Sequence, residues 1–204
     1  IQVVVNNSGE LNVNSNDVYI NYPHTDISNI IIKATGNAYL STLDTLMGDI
    51  ESKIDITAKS LELVADKGSI LWDMTDDEIN INVEKLKARA NGDISIINQG
   101  DLNISNISSK SKVSLESKNG SIITVNTDSI NPYNIDAETV VLKALKGYIG
   151  TDSNSVKLAR DTLLNASANG NVNLSSAGRI YTDLIESYNG AVSLDADYGI
   201  IETE

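Results

Sequence analysis

Seven stretches of this chain repeat one outline, and that self-similarity constrains the fold more than any other feature. Repeated units of this length bury their apolar faces only against their neighbours. The clearest six are LELVADKGSI (61–70), LKARANGDISI (86–96), VSLESKNGSII (113–123), VVLKALKGYIG (140–150), LLNASANGNVNL (163–174) and VSLDADYGIIE (192–202). A looser copy, IIIKATGNAYL, occupies 30–40. Each copy alternates apolar and polar residues as far as an Ala or Ser, turns through a polar corner closed by Gly, and opens a second strand. The corner glycines Gly36, Gly68, Gly92, Gly120, Gly147, Gly170 and Gly199 are spaced by 32, 24, 28, 27, 23 and 29 residues. That scatter suits a solenoid whose loops vary while its strands do not.

Within a copy the period is two, as strands require. Leu61, Leu63 and Ala65 alternate with Glu62, Val64 and Asp66; Val113, Leu115 and Ser117 with Ser114, Glu116 and Lys118; Val192, Leu194 and Ala196 with Ser193, Asp195 and Asp197. The same alternation recurs in Ile54 and Ile56, in Ile79, Ile81 and Val83, and in Leu102 and Ile104. The expected fold is all-β: a right-handed, single-stranded parallel β-helix (solenoid) of about seven coils, rising roughly 34 Å at ~4.8 Å per coil. The corner pairs Asn91-Gly92, Asn119-Gly120 and Asn169-Gly170 are expected to take positive φ, which Gly and Asn tolerate. A competing helical spacing exists in DAETVVLKALKG, at Ala137, Val140, Val141, Ala144 and Leu145, and VEKLKARAN is rich in helix formers. Aligned on their glycines, both match the strand-like KVSLESKNG, so strands are expected there.

Residues 1–29 match the outline poorly and are expected to form an irregular first coil or cap, with 30–204 the repeats of a single β-helix. IQVVV lacks an initiator Met and a signal pattern, and GIIETE stops within strand-like sequence, so both ends read as cuts inside a larger protein. Unpaired strands at the coil ends predict end-to-end self-association.

The core must be built from Ile, Val, Leu and Ala, since there is no Phe, one Trp (Trp72) and eight Tyr. A net charge of −13 argues against nucleic acid and against anionic membrane surfaces. No apolar run approaches the ~18 residues of a bilayer span, so no membrane insertion by this segment is expected.

No nucleotide-binding glycine loop, nucleophile elbow or H-E-x-x-H is present. The one histidine, His24, sits in NYPHTD, which reads as a turn around Pro23. Asp73, Asp76, Asp77 and Glu78 form the densest carboxylate cluster, and Asp44 and Asp49 a sparser pair. A hard cation such as Ca²⁺ takes several such oxygens, yet in a chain this acidic the cluster reads as a solvated corner. No catalytic residue, metal or cofactor is assigned, and the chain is expected not to be an enzyme. Asparagine is abundant, suited either to stacked side-chain ladders or to corners of positive φ. The segment VNTDSINPYNIDAE (125–138), with Pro132 and Tyr133, is expected to project as a loop, where recognition usually sits.

The stretch GYIGTDSNSVKLARDTLLNASANGNVNLSSAGRIYTDLIESYNGAVSLDADYGIIET (147–203) resembles the β-helical repeats of large bacterial exoproteins and adhesins of the filamentous haemagglutinin (two-partner secretion) kind. The outline lies in Ile149, Gly150 and Thr151, then Val156 and Leu158, then Leu164, Ala166, Ala168, Gly170, Val172 and Leu174. It covers the C-terminal half well and residues 30 to 130 more loosely; Ser155 stands where such repeats often carry Pro. The resemblance implies a secreted or surface-displayed bacterial shaft or adhesion segment, with host-cell or neighbouring-bacterium receptors or glycans as partners. The stalk of a toxin-delivery (contact-dependent inhibition) exoprotein is an alternative. A β-helical polysaccharide-degrading enzyme is another, though the long loops that would wall its groove are missing.

Overall fold

The computed structural model describes residues 2–4, 10–22, 29–42, 46–47, 53–72, 79–125 and 132–203. Among them there is no helix: every regular element is a strand, and every pairing between named strands is parallel. The chain winds as a β-solenoid of about eight turns, one more than the glycine spacing suggested, with one strand per turn in an eight-stranded narrow sheet. The rest of each turn lies in a broad sheet of 13 strands. There a turn contributes either two short strands, such as Asn29–Ala34 and Asn37–Thr42, or one long one, such as Lys53–Ala65 or Ile79–Ala90.

Alternation decides what is buried. One inward column of the broad sheet runs Ile20, Leu40, Leu63, Ala88, Ile107, Ile135, Leu158, Ser176, Ala196, each residue paired in register with the next. In the narrow sheet Ile70, Ile94, Val113, Val140 and Leu164 form one column, and Trp72, Ile96, Leu115, Leu142 and Ala166 another. All ten are buried. Burying each Leu or Ile stabilises the stack by about 1.5–3 kcal/mol, so like-on-like stacking fixes the register: a slip by one residue would turn a whole column to water.

The helix-like stretch therefore forms the strand Thr139–Ala144, held between Lys112–Ser117 and Thr162–Ala168. Val140, Leu142 and Ala144 point inward at period two, and tertiary pairing overrides local propensity. Two expectations about burial need correction. Val64, expected on the wet face, is buried. Val192 is 43% exposed, and Leu194 and Ala196 are only partly buried, because no described strand lies over their coil. Within residues 1–29, Glu10–Ser15 pairs with Asn29–Ala34 and Val18–Tyr22 with Asn37–Thr42 in unbroken register.

The corners differ from expectation in a physically instructive way. No described non-glycine residue has positive φ, and among described glycines only Gly150 (φ 61) and Gly199 (φ 98) do. The corner asparagines and the glycines beside them are not there for φ. Contact with the neighbouring coil explains the glycine: a Cβ on Gly120 would lie 2.6 Å from the Asp101 nitrogen and 2.8 Å from the Gly100 carbonyl carbon. The seven sequence copies also mix different corners, Gly36 lying between two broad-sheet strands, Asn29–Ala34 and Asn37–Thr42. Gly68, Gly92 and Gly199 turn from the broad sheet to the narrow one, whereas Gly120, Gly147 and Gly170 turn back, in a column with Gly100 and Gly190.

Candidate functional site

Corner amides have no partner in the ladders, and the chain supplies one repeatedly in the same way. A side-chain oxygen on one coil accepts the backbone N–H of the equivalent residue on the next. Asp17 accepts from Asn37 (2.8 Å), Ser69 from Asp93 (3.0 Å), Asp101 from Ser121 (2.7 Å), Ser121 from Tyr148 (3.1 Å), Asp161 from Arg179 (2.7 Å) and Asn171 from Ala191 (3.0 Å). Asparagines add ladder bonds, Asn119 to Gln99 (3.1 Å) and Asn189 to Asn169 (2.7 Å). The buried Asn98 is satisfied on both sides: its Oδ1 accepts from Ile81 N, and its Nδ2 faces the carbonyls of Ile81, Gly100 and Asp101. Most of the polar groups near the axis are thus consumed by the fold.

The position after the corner glycine holds Asp101, Ser121 and Asn171 in three coils, all acceptors. In the coil between Ser121 and Asn171 it holds Tyr148, a residue 36% exposed that lines a surface cleft of about 550 Å³. Beyond Ile149, which bridges Ile122 and Val172 in the broad sheet, the chain leaves the coil and returns at Val156. This excursion folds on itself through reciprocal Thr151–Asn154 backbone bonds of 3.0 Å. Asn154 Nδ2 donates to the Thr124 carbonyl (2.8 Å) and Thr124 Oγ1 to the Asn154 carbonyl (3.1 Å), pinning it to the preceding coil. Gly150 makes the turn possible: its φ is positive, and a Cβ would also crowd Val156 N at 3.0 Å.

The excursion covers part of the outer face of Val172–Ser176, where Asn173 alternates outward between the inward Val172 and Leu174. Asn173 is only 5% exposed and its Nδ2 has no hydrogen-bond partner, although it lines the cleft together with Tyr148, Asp152 and Asn171. A buried donor left unpaired costs about 1–3 kcal/mol, and Trp72 Nε1, Ser105 Oγ and Thr182 Oγ1 are unpaired in the same way. A second cleft of about 230 Å³ adjoins along the same strand, lined by Tyr133, Lys157, Ser175, Asp195 and Asp197. Ser155 and Ser175, whose hydroxyls meet at 2.9 Å, stand between the two.

Of the sequence candidates, His24, Asp44, Asp49, Asp73, Asp76, Asp77 and Glu78 lie outside the described residues. Of the segment 125–138, expected to project as a loop, the described part from Asn134 onward lies in the coil: Ile135–Asp136 pairs with Ile107 and Ser108, and Ala137 is buried. Residues 126–131 lie outside the described residues, and Tyr133 lines the smaller cleft. Among the described residues no three His, Cys, Asp or Glu side chains are grouped to hold a metal. Sequence reasoning missed Asn173 and Asp152, because an outward Asn in a strand looks the same whether water or a folded-over segment covers it. Comparison with known proteins gave no match: no family model fits the chain, and neither a curated protein nor a solved structure does.

Proposed function

We propose that this chain is a non-catalytic segment of a β-helical shaft, belonging to a large secreted or surface-displayed bacterial protein and serving adhesion or reach. The observation that supports it most is the unbroken inward column from Ile20 to Ala196. A core made of stacked equivalents extends by adding coils, each contacting only its neighbours, so length costs nothing in fold design. The outer faces then vary freely, and short excursions such as 150–155 decorate a rigid rod. We propose the right-handed winding that crossovers between parallel strands of one sheet take.

Antibodies raised against the chain test the reading. They are expected to label intact, unpermeabilised cells of the source organism or its culture medium, and the purified chain is expected to release no reducing ends from a polysaccharide panel. Labelling confined to the cytosol, or polymer turnover, would overturn the proposal.

A further inference from the structure

We propose that Asn189 is a site of spontaneous covalent modification: its carboxamide cyclises onto the Gly190 nitrogen and deamidates, restrained by a ladder bond to Asn169. The chain holds four Asn-Gly pairs, at 91–92, 119–120, 169–170 and 189–190. Glycine has no Cβ to shield the attacking nitrogen, so all four are reactive by sequence. In the reaction the Gly nitrogen gives its proton to hydroxide and attacks Asn Cγ. The N–Cγ bond forms, the Cγ–Nδ2 bond breaks, and Nδ2 takes a proton from water and departs as ammonia. Water then adds across one of the two carbonyl–nitrogen bonds of the succinimide, leaving aspartate or isoaspartate.

The fold ranks the four pairs by what holds the two reacting groups. A backbone N–H that donates a hydrogen bond resists deprotonation, and releasing it moves the main chain of a close-packed corner. Gly92 N donates to the Gly68 carbonyl and Gly170 N to the Gly147 carbonyl, both at 2.7 Å, and Gly120 N donates to Ser117 Oγ at 3.0 Å. The Gly190 N–H has no acceptor among the described residues, and Asn189 and Gly190 are both exposed to water. What is held there is the carboxamide, whose Nδ2 donates to Asn169 Oδ1 at 2.7 Å. One exposed side-chain bond is weak, and rotation of that side chain alone releases it. Asn119 and Asn169 are held at both groups, since Asn119 Nδ2 donates to Gln99 Oε1 and Asn169 Oδ1 accepts from Asn189. Asn91 is exposed but has its nucleophile tied down at Gly92.

The product does not fit the corner. Isoaspartate lengthens the main chain by one methylene, where even a Cβ on Gly190 would lie 2.6 Å from the Asn171 nitrogen and 2.7 Å from the Gly170 carbonyl carbon. The corner must lift, and the bond from Ala191 N–H to Asn171 Oδ1 (3.0 Å) is lost at the entry to Val192–Ala196.

The site holds whether or not the chain is a shaft. Incubating the ¹⁵N-labelled chain in mildly alkaline buffer tests it, with mass spectrometry of the four separate tryptic peptides that carry the pairs. Asn189 is expected to deamidate about threefold faster than Asn91 and about tenfold faster than Asn119 and Asn169, and the four rates are expected to converge in urea. Asn169→Ala is expected to raise the Asn189 rate about twofold or more by removing the ladder bond. In the isoaspartyl product the Ala191 amide is expected to exchange with deuterium faster while residues 79–118 keep their rates. Equal rates in the folded chain, a ranking that persists in urea, or an Asn189 rate unchanged by Asn169→Ala would overturn the proposal. An Ala191 amide that stays protected in the product would overturn the loosening of the corner.

Discussion

At the corner leading from the narrow sheet to the broad one, Gly100, Gly120, Gly147, Gly170 and Gly190 follow one another up the stack, and successive backbones touch. At the return corner glycine is intermittent, and side chains span the coils instead. Arg89 reaches Asp66 (2.9 Å), Arg160 reaches Asp136, and Arg179 reaches Asp161 (3.5 Å). These are all three arginines of the chain. Both corners must bring a turn of chain over its predecessor at the strand spacing. The first does so with a continuous column of glycines, the second by bridging with long side chains and, at Gly178, by an equally close approach to the Arg160–Asp161 backbone. A backbone contact fails when an atom is added, whereas an exposed bridge fails gently when one is removed, so the two corners differ in their tolerance of substitution.

The largest expected effect lies within the glycine column itself. Gly120→Ala forces a Cβ into the Gly100–Asp101 backbone and is expected to lower stability by about 3 kcal/mol, read by chemical denaturation through the buried Trp72. Gly100→Ala, one coil away, meets nothing within 4 Å among the described residues and is expected to be neutral or to stabilise by up to about 1 kcal/mol. Equal losses at the two positions would break the claim that close approach, not backbone conformation, selects glycine there.

Next come the side-chain acceptors shared by both corners. Asp101→Ala and Asp161→Ala each strand a corner amide, of Ser121 and Arg179 respectively, and each is expected to cost about 1 kcal/mol in the same assay. A loss restricted to one of them would mean that only one corner relies on this bond.

Smaller still is the effect of removing a bridge. The Arg160 guanidinium is held above its ordinary value first by its hydrogen bond to Asp136, partly opposed by desolvation, and it stays charged at every pH of interest. Both partners are solvent-accessible, so Arg160→Gln is expected to cost under about 1 kcal/mol and to lose most of that difference in high salt. The least effect on stability belongs to Tyr188, whose phenol donates to Glu186 (2.6 Å) and is thereby raised above its usual 10.0. A raised folded value favours the protonated form, so the contribution is present below about pH 10 and fades as pH climbs through the folded value. Spectrophotometric titration is expected to find a late-titrating phenol that is lost in Glu186→Gln.

Much of this architecture can be read from the residues, and the failures share a cause. Leu61, Leu63, Val113 and Leu115 announce strands by alternation alone, and the structure buries all four. The phase of the repeat is harder to read, because both corners favour Gly beside Asn, Asp or Ser. Gly92 and Gly120 look equivalent in sequence, yet they lie at opposite corners. Gly100, only eight residues after Gly92, breaks the apparent period and passes unnoticed. The cleft was less legible than the fold. Gly150 is visible as a punctuating residue, but its role depends on Asn173, more than twenty residues onward, being roofed by the segment it turns. No local pattern encodes that contact, since register between coils creates it.

Inter-coil registry at Thr139–Ala144 tests the account most directly, because this is where sequence also permits a helix. Nuclear Overhauser contacts in the labelled chain are expected to link Leu142 to Leu115 on one side and to Ala166 on the other, with strong sequential Hα–HN contacts throughout. Medium-range Hα–Hβ contacts between residues three apart from Ala137 to Leu145, with no link to Leu115 or Ala166, would contradict the stacked solenoid.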